Sequence, residues 1–137
     1  MTRKEARQHL MQLLYQMELL NDHTDEARDA YFKTNFANSG QKAYAEKLIG
    51  LVFDNMEDID SKINNYSNKW TTNRMPKVDL AVLRLAAAEI LFMDDIPDAV
   101  AINEAVTMAK KFGAEDESGS FINGILGSIA KEKDGGQ

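Results

Sequence analysis

The stretch Val78-Asp79-Leu80-Ala81-Val82-Leu83-Arg84-Leu85-Ala86-Ala87-Ala88-Glu89-Ile90-Leu91-Phe92-Met93 is the most apolar in the chain. Only Asp79, Arg84 and Glu89 are charged. Wound as a helix, its apolar residues cover nearly the whole circumference, and such a helix belongs at the centre of a bundle. Pro76 supports this start, since proline suits a first helical turn and disfavours helix at Met75 before it.

On the C-terminal side, Asp94-Asp95-Ile96-Pro97 closes that helix and opens another. There Ile102, Ala105, Val106, Ala109 and Phe112 recur at helical spacing, with Gly113 as the stop. Ser118 or Ser120 can cap a last helix that turns Phe121, Ile122, Ile125, Leu126 and Ile129 inward. The charged tail Lys131–Gln137 is expected to fray. On the N-terminal side, Ser67–Pro76 reads as a connector. Ala45, Leu48, Ile49, Val52, Met56, Ile59 and Ile63 keep helical spacing from Gln41 to Tyr66, and the carboxylate-rich Asp54–Asp60 leaves room for a bend. Asn35–Gly40 reads as a loop, and Glu26–Lys33 as a helix with Ala27, Ala30 and Tyr31 inward. Asn21–Asp25 stops a first helix whose stripe is Ala6, Leu10, Leu13, Leu14 and Met17. No alternating strand pattern survives. The expected fold is all-α, a single domain over residues 1–137 with six or seven helices around the central one.

The chain's 137 residues suffice for one hydrophobic core without staples. Lysine and arginine number 16 against 22 acids, giving a net charge of −6, which excludes a protein that coats nucleic acid indiscriminately. Cysteine is absent and the only histidines are His9 and His23, so thiolate chemistry and an all-histidine metal centre are excluded. The polar start MTRKEARQH is no signal peptide, and no apolar run is long enough to span a bilayer; the expected address is the cytoplasm. The acidic runs Asp54/Glu57/Asp58, Asp94/Asp95/Asp98 and Glu115/Asp116/Glu117 lie at helix boundaries, where carboxylates complement free amides. No nucleophile elbow, calcium loop or phosphate-cradling glycine loop is present, so neither enzyme activity nor a cofactor is expected.

Two local features stand against the bulk acidity. Arg3, Lys4 and Arg7 make a basic start with a single acid, Glu5. The plain reading is a solvated helix end; the functional one is a set of phosphate ligands. Phe121, behind a run of polar residues, suits either the core or a stacked base beside a helix terminus, and Trp70 poses the same choice.

Three segments resemble the NusB family of transcription antitermination factors, in that family's order. They are Ala6-Arg7 through Gln12-Leu13-Leu14-Tyr15; Trp70–Arg74 with Val78–Ala86 and Glu89–Phe92; and Asp95-Ile96-Pro97 with Val100–Val106, Ala109–Gly113 and Phe121–Leu126. The resemblance implies a non-enzymatic helical domain. With the ribosomal protein NusE it would bind the boxA segment of nascent single-stranded RNA. It would then join other Nus factors on RNA polymerase to suppress termination in ribosomal RNA synthesis. Residue by residue, it implies Arg3, Lys4 and Arg7 as a basic arm on RNA, thinner than the family's arginine-dense version. It implies Glu117, Ser118 and Phe121 as a second RNA-contacting region, in a segment one residue longer than usual. Tyr15 and Asp79 match positions that face NusE. The family also implies a competing state, a homodimer that hides the basic surface. A NusB-like domain opens certain ribosomal RNA cytosine methyltransferases too, but this chain has no cysteine to attack the ring.

Overall fold

The computed structural model describes residues 1–135, and among them it contains seven helices and no strand. In chain order they are α1 (Arg3–Leu20), α2 (Asp25–Asn35), α3 (Lys42–Asp54), α4 (Met56–Tyr66), α5 (Lys77–Phe92), α6 (Asp98–Phe112) and α7 (Ser118–Gly135). As its composition requires, α5 is the axis: every residue from Asp79 to Ile90 is buried. Among the described residues no helix is long and apolar enough to cross a membrane.

Ion pairs fix how the neighbours lie on α5. Arg7 meets Glu89, and Glu18 meets Arg84, so α1 runs antiparallel to α5. Ser118 bonds Asp79, while Lys133 donates to the Ile90 carbonyl at 2.9 Å, so α7 runs with α5. Lys133 also pairs with Asp98 at the start of α6, clamping three helices at one end. The tail expected to fray is therefore helical through Gly135; Glu132 meets Lys62 and Tyr66, giving its charged side chains partners on α4. Gly136 and Gln137 lie outside the described residues.

Local chemistry sets the breaks. The Gln41–Tyr66 run divides at Asn55, whose side-chain amide donates to the Leu51 carbonyl at 2.9 Å and competes with the helix for it. Thr2 and Glu5 form a reciprocal capping box on α1. Asn21 ends α1 in the left-handed region at φ 51°, and Thr24 caps α2 through the Ala27 amide. The inward face of α2 differs from expectation. Ala30 is exposed, whereas Phe32 is buried and stacks at 4.8 Å on Phe36, a residue of the expected loop. Those rings, one helical turn apart, seat a short helix that packs mainly through them. Phe112 is likewise mostly at the surface; Ala101, Ala105, Met108 and Ala109 form the face that α6 buries.

Arg84 forks onto Asp60 at 2.9 and 2.7 Å and reaches Glu18 at 2.8 Å, tying α5 to α4 and α1. Replacing it strands two carboxylates beside the core. Arg84→Ala is expected to cost about 2–3 kcal/mol in urea unfolding. That is below the figure for a fully buried pair, because the carboxylates keep part of their surface in water.

Candidate nucleic-acid interface

The basic start is helical from Arg3 onward, held by the Thr2–Glu5 box rather than loose. Arg3 is exposed but positioned: its Nε donates to Gln41 Oε1 at 2.7 Å, and its guanidinium lies 3.9 Å above the Tyr44 ring. Stacking on a ring leaves the outer N–H groups of an arginine free for a planar or phosphate acceptor. Lys4 is exposed beside it.

Arg7, expected in the same arm, is somewhere else chemically. It is 4% exposed and donates to both oxygens of Glu89, at 2.9 and 2.8 Å. Burial alone would lower its pKa, but the Glu89 carboxylate more than offsets that. Two of its nitrogens are held by Glu89 inside the core, so Arg7 is not presented beside Arg3 and Lys4 in the free chain. Tyr44 covers the pair, and burial together with the nearby Glu89 charge pushes its phenol above the usual range.

A second group of candidates meets at the other end of α5, roughly 15 Å from Glu89 by helical rise. Here a cleft of about 210 Å³ is lined by Lys69, Trp70, Asp79, Glu117, Ser118 and Phe121, among others. Trp70 and Phe121 stand edge to face at 5.5 Å, and Lys69 lies 4.3 Å over the indole while pairing with Glu115. Both rings are half-buried, so each serves the core with one side and the cleft with the other. Glu117 is exposed at the rim.

Ser118 and Asp79 are buried partners, not surface groups. The Ser118 hydroxyl donates to Asp79 Oδ2 at 2.9 Å and accepts the Glu115 amide at 3.2 Å. Neither serine caps α7, since Ser120 donates back to the Glu117 carbonyl. Asp79 has no exposed surface, which removes it from any protein-facing surface of the free chain and makes it the anchor of the α6–α7 turn. Burial raises its pKa, against the lowering effects of Ser118 and the Ala114 backbone. Gly113 completes the anchor: a Cβ there would sit 2.3 Å from the Ala109 carbonyl and 2.6 Å from Ser118 Cβ. Its φ of −63° is open to any residue, so crowding and not a left-handed turn demands the glycine. Tyr15 is half-buried on α1, packed against the core.

With this geometry in view, comparison with known proteins is decisive. The NusB family model matches residues 4–131. The chain belongs to the NusB family. A transcription antitermination protein NusB from Acetivibrio thermocellus is 44% identical over 133 residues, covering 97% of this chain and 91% of its own. The structure of T. maritima NusB superposes with a TM-score of 0.86 at 37% identity, over 96% of this chain and 92% of that one. A crystal structure of the antitermination factors NusB and NusE in complex with dsRNA matches at 0.81 and 29% identity, over 94% and 96% of the two chains. As a NusB-family protein this chain is a transcription antitermination factor and not an enzyme.

The site therefore keeps Arg3, Lys4, Glu117 and Phe121 at the surface and withdraws Arg7, Ser118 and Asp79 into support. It gains Gln41, Tyr44, Lys69 and Trp70, of which only Trp70 carried a signal in the sequence. The two arginines are expected to separate in thermal unfolding. Arg7→Ala should cost about 3–5 kcal/mol by leaving Glu89 buried and unpaired, whereas Arg3→Ala should leave the melting temperature nearly unchanged. Asp79 gives a pH signature. Its native pKa lies above the ordinary 3.8, so the folded state holds the proton more tightly than the unfolded one. Its stabilising influence is full below the ordinary, unfolded-chain value and is lost as pH rises through the raised native one. Asp79→Asn, which keeps an acceptor for Ser118, should raise the urea midpoint at neutral pH and give no gain in acid.

Proposed function

We infer that this chain binds boxA-type single-stranded RNA together with the ribosomal protein NusE. The complex then joins other Nus factors on RNA polymerase to promote ribosomal RNA transcription. The observation that carries this reading is the stacked Arg3, a cation fixed in place with its outer face free. Arg3 and Lys4 supply salt-sensitive phosphate contacts, and the Trp70–Phe121 cleft offers aromatic surface to an unstacked base. The related NusB–NusE complex holds dsRNA. Cations take phosphates in either form, but only a single strand can turn a base into an aromatic cleft. The acidic remainder of the surface opposes indiscriminate RNA binding and favours a basic protein partner.

Filter binding of a boxA oligonucleotide across a salt series, with NusE present, tests the reading. Arg3→Ala with Lys4→Ala should flatten the log–log slope by about 1.4, the share of two phosphate contacts on a single strand. Phe121→Ala should weaken binding without changing that slope. A duplex bound as tightly as the single strand, or binding indifferent to salt, would count against it.

A second reading, a self-associating homodimer without RNA binding of its own, has one observation in its favour. Leu19 and Leu20, adjacent at the end of α1, are 53% and 63% exposed. Light scattering separates the two, since a dimer that boxA RNA leaves intact would support the second.

A further inference from the structure

From Ala30 to Ala45 the sequence has no acid, although the chain holds 22 of them. Lys33 and Lys42 within that stretch are both exposed. Neither closes an ion pair among the described residues. The fold lays this stretch directly against the basic arm. Gln41 accepts from Arg3 and Tyr44 lies beneath it, while the Ser39 hydroxyl reaches the Met1 sulfur at 3.6 Å. Lys42 follows Gln41 in the chain, and Lys42 and Lys33 line one cleft of about 480 Å³ between α2 and α3. The acids of that cleft, Asp29 and Glu46, lie one helical turn from the lysine of their own helix, on the side away from the connecting turn.

We propose that this acid-free edge is a second phosphate-binding surface, on which Lys42 and then Lys33 continue the track begun by Arg3 and Lys4. The proposal rests on the RNA reading above and extends it to residues that no motif singles out. A single strand leaving the arm passes over the α2–α3 turn, gripped by its backbone. Lysines are flexible point charges, suited to following phosphates and not to reading bases, so the surface adds affinity and footprint without sequence preference. An acidic protein segment is a poorer occupant. It would need an apolar anchor, and the floor residues Phe32 and Ile49 are only 7% and 2% exposed.

Fluorescence anisotropy of a labelled boxA oligonucleotide, extended on both sides and titrated at several salt concentrations with NusE present, tests this. Lys33→Ala with Lys42→Ala is expected to flatten the log–log slope by a further 1.4 or about two contacts' worth, and to weaken binding roughly tenfold at low salt. The melting temperature should stay at the wild-type value, and Lys33→Arg with Lys42→Arg should restore the slope. A wild-type slope in the alanine variant, alongside a flattened one for Arg3→Ala with Lys4→Ala, overturns the extension and leaves the RNA reading standing. Absence of salt-dependent binding by the wild-type protein overturns both. Poly-L-glutamate binding that requires Lys33 and Lys42, at a salt slope for the RNA that does not, assigns the edge to acidic proteins and overturns the proposal.

Discussion

The three buried charges of α5 determine how the bundle is assembled. On a helix buried all round, hydrophobic attraction alone is indifferent to rotation and sliding, because one apolar side packs much like another. Asp79, Arg84 and Glu89 remove that indifference, each having a partner on a different stretch of chain. Glu89 takes Arg7 from α1, Arg84 takes Asp60 and Glu18 from α4 and α1, and Asp79 takes Ser118 from α7. A wrong register would leave a charge in the core without a partner, a cost of several kcal/mol.

That assembly reallocates residues between structure and function. Arg7 lies one turn along α1 from Arg3, yet it is consumed by the core while Arg3 is presented by α3. The same holds at the far end, where Ser118 and Asp79 underpin a cleft that Phe121 and Trp70 line. Arg3 is braced from below by the buried Tyr44, and the Phe121 cleft by the buried Ser118–Asp79 pair. An acidic protein can carry a local cationic surface in this way, because attraction at contact range depends on the charges within about 8–10 Å and not on the total.

The helices were legible because hydrophobic spacing is local information. The Val78–Met93 stretch shows its central place without reference to anything else in the chain. The fate of a polar residue is not local. Arg7 and Glu89 are 82 positions apart, and only the packed bundle shows that they meet. Basic character near the terminus suggested an open arm of three cations; geometry closed one of them off. Gln41 and Tyr44 were invisible for a related reason, since a side chain that positions another has no signature until both are placed. The carboxylate-rich Asp54–Asp60 announces a bend but not its place, because an asparagine that bonds back to its own helix reads as an ordinary polar residue. Phe36 was misread because its polar neighbours outweighed its spacing from Phe32.

The chain contains a single tryptophan, and it stands in the cleft beside Phe121. Indole emission responds to its immediate surroundings, so all the tryptophan light from this molecule originates at one candidate corner. The bundle carries its own optical gauge there. A change in its colour or intensity under native conditions reports on that corner, while the N-terminal cations some distance away stay dark.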